Sequence, residues 1–375
     1  MAILPPANLC SVEDYKRKYL YGSAVACFLL LSYVFTTYGK FVYMKESMTV
    51  TGFLIDIGSD LTLIMANLIS IVGINLMNGS TVCIFLTNMK KIDCEFQYLP
   101  SDCKHSNMRF VMEMILIHIY MIIFIAYNVY TWVSSLGWDT YIYFCLRDFQ
   151  NYYIIVLAIL MRNYAYAIKY RMEVLNGILT RREWTQSDKI CIADYSGCVS
   201  ANLKTKPHWT LKKIIKQFTN LTNLIDMYNT IFGWQFVSLY VVIVINLLLP
   251  INLALIYGSG DKDINGFKYG SELVALCIMW ASLPIITAIA IFSACNHATE
   301  KIRHTSVIAY NLIQELGEAP NDMNYKQELQ ELAELATNKC PSFSAAGFYT
   351  VNYSVLFGLV GSITSYLIVL IQFNK

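Results

Sequence analysis

Charge is scarce in this chain. Of 375 residues only 14% are Asp, Glu, Lys or Arg, while 56% are hydrophobic. That balance excludes a soluble globule, whose surface needs roughly twice that share of charge. The 28 Lys and Arg nearly cancel the 26 Asp and Glu, leaving a net charge of +2. No bulk basic field tracks a phosphate backbone, so nucleic acid is not an expected partner. The 11 cysteines are too few and too irregular for a disulfide scaffold, and no CxxC or HExxH pattern occurs to hold zinc or a redox pair. His118 and His297 are isolated and lack ligand spacing. No metal or cofactor is expected, and no enzyme either, since no His, Cys or carboxylate pair has catalytic spacing near a membrane face.

What is present is long apolar runs and a mean hydropathy of +0.45. A bilayer core of about 30 Å needs about 20 apolar residues in helix, and seven stretches qualify. They run from Tyr19 to Tyr38, Ile57 to Leu86, Phe110 to Val133, Tyr141 to Ala167, Ile231 to Tyr257, Leu273 to Cys295 and Phe348 to Phe373. The expected fold class is therefore all-α, a polytopic membrane protein with seven transmembrane helices and long helices extending into a cytoplasmic helical anchor bundle. The first run is longer than a signal-peptide core and has no small-residue cleavage site after it, so it is read as a signal anchor.

Orientation follows from Lys and Arg, which stay on the cytoplasmic side. With the N-terminus inside, 21 of them fall inside and six outside, the six being Lys40, Lys45, Arg147, Lys262, Lys268 and Lys375. The C-terminus is then outside, the reverse of a seven-helix receptor coupled to G proteins. The sequons at Asn78, Asn220 and Asn352 fall inside or within the membrane, where no glycan is added.

The expected division is residues 1–18 as a cytoplasmic N-terminus and 19–168 as spans one to four. A cytoplasmic loop and helical extension follow over 169–230, spans five and six over 231–295, anchor helices over 296–347 and the last span over 348–375. From Trp209 to Tyr228 the residues Leu211, Ile214, Ile215, Phe218, Leu221, Ile225 and Tyr228 recur at three and four, with Lys212, Lys213 and Lys216 opposite. This amphipathic helix runs without Pro or Gly into span five. Span six continues toward Leu316, where Gly317 and Pro320 stop it, and a helix from Tyr325 to Asn338 puts Leu329, Leu332, Leu335 and Ala336 on one side. Residues 169–226 are mainly basic and 296–341 mainly acidic, which predicts one packed bundle. Residues 181–206 have no clean period and read as a mobile loop. Arg162, near the inner end of span four, is expected to snorkel to the headgroups.

In the last span Gly358, Gly361, Ser362, Ser365, Val369 and Gln372 step by three or four and share a face. Small residues at that spacing permit close helix packing, whereas an amide at Gln372 is costly in lipid unless paired or wet. The ending Ser365-Tyr366, five apolar residues, Gln372-Phe373 resembles the Thr-Tyr, five apolar residues, Gln-Phe signature that closes the insect gustatory receptors. It departs only in Ser for Thr. The resemblance implies a homotetrameric, ligand-gated, non-selective cation channel in the plasma membrane, with permeant cations passing a pore lined by the last helix of each subunit. Ser362, Ser365, Tyr366, Val369, Gln372 and Phe373 would line it, with Gln372 and Phe373 at the constriction. No Asp or Glu follows Glu334, so span seven forms no acidic ring; the cation preference is expected from Glu328, Glu331 and Glu334.

The resemblance places the ligand in the outer half of the first six spans. Aromatics gather there at Tyr127, Tyr130, Trp132, Tyr152 and Tyr153, and for any one of them an interfacial belt is the plain reading. Asp60, Asn67, Asp148 and Asn246 are costly in lipid, and with Trp280 they define an expected aromatic-walled pocket. Pro250 and Pro284 lie in spans five and six and are expected to kink them. The few polar anchors point to a bitter or plant-derived small-molecule tastant. A sugar-gated member, or an odorant-receptor-like subunit needing a partner, share the topology. A secondary transporter would show paired halves, and no repeat is present.

Overall fold

The computed structural model describes residues 12–43, 50–96, 100–182, 209–257, 270–317, 320–338 and 341–373. Among these, α1 is Val12–Tyr43, α2 Val50–Ile71, α3 Gly79–Phe96, α4 Pro100–Leu136, α5 the single turn Trp138–Tyr141 and α6 Cys145–Thr180. They are followed by α7 Leu211–Tyr257, α8 Gly270–Glu315 and α9 Pro320–Asn338. A short hairpin, β1 Ser344–Ala345 with β2 Tyr349–Thr350, leads into α10, Tyr353–Phe373. The expected loop over 181–206 lies outside the described residues apart from its first two.

Five of these helices contain stretches long and apolar enough to cross a bilayer, namely Leu20–Tyr43, Phe53–Asn75, Phe110–Ser134, Leu211–Leu255 and Ser271–Glu315. A shorter apolar run, Tyr353–Val369, lies in α10. The α6 helix has the length but carries Arg147, Asp148, Arg162 and Arg171, all turned into the protein. At about 1.5 Å per residue, α7 and α8, with 47 and 46 residues, are each about 70 Å long. That is more than twice the apolar core, so half of each stands outside the bilayer.

Those outer halves form the expected bundle. Its centre is Leu211, Ile214, Phe218, Leu221, Ile225 and Tyr228 of α7, Met172 and Leu175 of α6, Ile302 and Ala309 of α8, and Leu329, Leu332 and Ala336 of α9, all buried in one continuous core. Apolar area removed from water at about 25 cal/mol per Å2 holds this part together, and the charges trim it. Arg182 bonds Glu315 and Lys212 lies 4.0 Å from Glu328, in the sense the charge patterning predicts. Lys301 meets Glu173 at 3.1 Å in the opposite sense.

Three local expectations are corrected. The apolar run from Ile57 to Leu86 is two helices, because a π-helical turn over Val72–Met77 ends at Asn78, whose N–H donates to the Gly73 carbonyl at 3.0 Å. Beyond it, α3 is amphipathic, burying Val82, Phe85, Met89, Ile92 and Phe96. Pro320 does not merely stop α8 but opens α9, a position where its missing N–H costs nothing. Arg162 does not snorkel; its Nη1 meets Glu113 of α4 at 2.9 Å and its guanidinium lies over the Tyr166 ring.

The entry angle of α10 is set by the hairpin's seat on α7. Asn229 donates through Nδ2 to the Ser342 carbonyl and accepts the Ser344 N–H at Oδ1, both at 2.9 Å. Tyr349 donates to the Phe236 carbonyl at 3.1 Å. Gly233 permits the close approach, since a Cβ there would lie 2.9 Å from the Ala346 nitrogen. The hairpin turns through Ala346 and Gly347 at positive φ.

Candidate functional site

At the end of the membrane bundle opposite the long helical extensions, charged side chains are buried in a tight cluster. Asp56 and Asp60 are four apart and share a face of α2, a repulsive arrangement unless cations intervene. Lys40 of α1, only 1% exposed, reaches both at 2.6 Å. Arg147 of α6 bonds Asp56 at 2.8 Å and Asp60 at 3.3 Å. The approach of α1 to the segment before α6 depends on Gly39, where a Cβ would run into the Tyr143 side chain. Lys40 and Arg147, expected in open turns between spans, are instead buried in this cluster.

A cavity of about 70 Å3 lies beside this cluster. Its walls include Phe124, Arg147, Asp148, Asn246, Trp280 and Leu283, with Pro250 and Pro284 inside the helices that bound it. Arg147 links cluster and cavity. Its Nη2 donates to Ser59 Oγ at 2.8 Å, Ser59 donates to Asn246 Oδ1 at 2.9 Å, and the guanidinium stands 5.6 Å from the Trp280 ring centroid. Asp148 accepts from Asn128 Nδ2 at 3.0 Å and from the Tyr141 hydroxyl at 3.3 Å, both at Oδ2. A second cavity of about 200 Å3 shares Ile155 and Thr287 with the first and runs toward the Glu113–Arg162 pair. A larger one between α7 and α9 lies in the helical extensions, away from these groups.

Of the eight residues expected to contact a ligand, Asp148, Asn246 and Trp280 line the first cavity, and Asp60 stands behind it on Arg147. The other four point elsewhere. Asn67 is buried against the Gln150 carbonyl, Tyr127 bonds the Glu272 carbonyl, Tyr152 bonds His118 at 2.6 Å, and Tyr130 is exposed. Lys40, Asp56, Ser59, Asn128 and Tyr141 are additions. The Asp56–Asp60 spacing in an apolar run was the one sequence signal for a cation partner.

The face of α10 has an equally plain geometry. Leu359 and Ile363 are buried, and Val355, Leu356 and Leu367 pack half-buried on the main core. At 100° per residue, the centre of the opposite face falls on Gly361, Ser365 and Gln372, flanked by Gly358, Ser362 and Val369. All six are exposed, and Cβ atoms added at Gly358 and Gly361 would meet nothing within 4 Å. Tyr366 is exposed at the edge of this stripe. The Phe373 side chain lies outside the described residues.

The chain is thus a helical membrane protein with a mainly apolar cavity, anchored by a few polar and charged groups, at one end and a long helical bundle at the other. The chain belongs to the 7tm chemosensory receptor family, whose model matches residues 11–375. Gustatory receptor 68a of Drosophila melanogaster is 27% identical over 111 residues, 28% of this chain and 25% of that receptor. Putative gustatory receptor 28b of the same fly is 30% identical over 93 residues, 25% of this chain and 19% of the relative. Its gustatory receptor for bitter taste 66a is 57% identical over 37 residues, 10% of this chain and 7% of the relative. The matched stretches thus span a quarter or less of those receptors. In structure, the chain is similar to the insect olfactory receptor OR5 of Machilis hrabei in complex with eugenol. The TM-score is 0.60 at 12% identity, covering 93% of this chain and 88% of that one. A second structure of the same receptor gives 0.58 at 11% identity over the same shares. The fold is shared across that distance.

Proposed function

We propose that this chemosensory receptor is a tastant-gated, non-selective cation channel, a homotetramer in the plasma membrane with its N-terminus inside and C-terminus outside. One observation carries the reading: α10 exposes a small and polar stripe, with Gly361, Ser365 and Gln372 opposite its packed face and Gly358, Ser362 and Val369 along one flank. In lipid such a face gains nothing; Ser362 returns its hydroxyl to the Gly358 carbonyl at 2.9 Å, but the Gln372 amide is costly there unless paired or wet. Four copies around an axis would give these groups water and each other. Ser362, Ser365, Tyr366, Val369, Gln372 and Phe373 then line the pore, and the bundle over 169–230 and 296–347 serves as the anchor between subunits. Glu328, Glu331 and Glu334 of α9 bias the exit toward cations. The ligand sits in the cavity walled by Asp148, Asn246 and Trp280. A bitter or plant-derived ligand is supported by the short likeness to the bitter-taste receptor and by the eugenol bound in the structural neighbour.

The test is whole-cell current from cells expressing the chain alone, challenged with sugars, bitter compounds and eugenol, beside Gln372→Ala. The expected result is an evoked current reversing near 0 mV whose conductance the substitution changes. Surface-expressed protein silent to the whole panel would contradict it.

A further inference from the structure

The charges around the cavity do not close. Lys40 and Arg147 are both spent on Asp56 and Asp60, two cations on two carboxylates. Asp148 is the fifth charged group; the neighbouring Arg147 acts on it only through space, its own contacts going to Asp56, Asp60 and Ser59. It is 5% exposed, its two donors, Asn128 and Tyr141, are neutral, and both bond Oδ2. Among the described residues no Lys, Arg or His forms an ion pair with it. Oδ1 is left without a hydrogen bond on a side chain that lines the cavity. A buried carboxylate in this condition is costly and calls for a positive partner.

The prolines add to the imbalance. A proline within a helix removes the N–H that would bond the carbonyl four residues earlier. For Pro250 and Pro284 those carbonyls belong to Asn246 and Trp280, both of which line the cavity. The cavity is thus lined by an unbonded carboxylate oxygen and by two residues whose backbone carbonyls the prolines release, beside the Asn151 and Asn246 amides and the Thr287 hydroxyl, which can also donate. Its one charged donor, Arg147, is already committed to Asp56, Asp60 and Ser59. The remaining wall is apolar, with Phe124, Ile155, Leu239 and Leu283. A mainly apolar pocket whose carboxylate has no ion pair of its own selects a ligand that brings the positive charge.

We propose that this cavity recognises a protonated amine carried on a small ring, the ammonium on Asp148 Oδ1, the ring against Phe124 and Leu283. This inference rests on the cavity being the ligand site. A dry cavity of about 150 Å3 takes benzene; the first cavity alone is smaller, and the adjoining one behind Ile155 and Thr287 supplies the room.

Phenethylamine and 2-phenylethanol differ mainly in ammonium against hydroxyl and serve as the probes. Binding of each to the full chain in lipid nanodiscs is measured by calorimetry at pH 7.4. The amine is expected to bind at least tenfold more tightly, and Asp148→Asn to abolish that preference while holding the alcohol within threefold. The preference in the unsubstituted chain is a test on its own, should the variant not fold. Equal affinities, a preference that survives Asp148→Asn, or no saturable binding of the amine up to millimolar concentration overturns the proposal. A current evoked by neutral compounds without amine preference sinks this inference and leaves the channel reading standing. An amine preference without evoked current does the reverse.

Discussion

Lys40 sits in the last turn of α1 with its ammonium between two carboxylates of another helix. Such a group is stabilising only as part of its set, since removing one member strands the others away from water. Breaking a buried pair by deleting one partner costs about 3–5 kcal/mol. Lys40→Met should therefore lower the thermal midpoint of the purified receptor or abolish its surface expression, and adding Asp60→Asn should recover part of the loss. A Lys40→Met receptor as stable as the parent would mean that the cluster is solvated in the membrane. At the hairpin, Asn229→Ala removes two hydrogen bonds from a half-buried seat. Each unmade bond is worth about 1–3 kcal/mol, so a clear drop in midpoint is expected, while Asn223→Ala on the exposed face of the same helix should change little.

At the scale of elements, Gly233 is the narrowest point between α7 and the hairpin that launches α10. Gly233→Val should push the hairpin away and tilt α10. Ligand affinity at the distant cavity is expected to persist while evoked current falls; normal current from this variant would show that the hairpin does not set the position of α10. The long helices were legible in the sequence because their signal is local. The three-and-four spacing from Leu211 to Tyr228 runs unbroken into an apolar run, and the structure continues it to Tyr257. The stripe on α10 was legible for the same reason. The break after Ile71 was not, since counting apolar residues is blind to a π-helical turn set by one hydrogen bond at Asn78. Nor was the pairing of Lys40, Asp56, Asp60 and Arg147. The charges on α1 and α6 meet α2 only through tertiary packing, and in the sequence they stand at the ends of runs, where they read as loop charges. Arg162 was misread likewise, because Glu113 lies some fifty positions earlier.

For the whole molecule, the proposed function divides labour between two ends and one helix. On that proposal the far-end cavity takes the ligand and the α10 stripe is met by copies of itself, while the long extensions of α6 to α9 pack into one core. If assembly satisfies that stripe, native mass spectrometry from gentle detergent should give four chains per particle; a stable monomer retaining ligand-evoked current would exclude a shared axial pore. The central claim is that the stripe faces water in a conducting pore, and cysteine accessibility tests it most directly. Ser362→Cys, Ser365→Cys, Val369→Cys and Gln372→Cys are each expressed, the current is evoked, and a membrane-impermeant cationic thiol reagent is applied from outside. The account predicts that modification reduces current at these positions above the parent's response, and leaves Leu359→Cys and Ile363→Cys, on the packed face, unaffected. Block at the packed face with none along the stripe would contradict it.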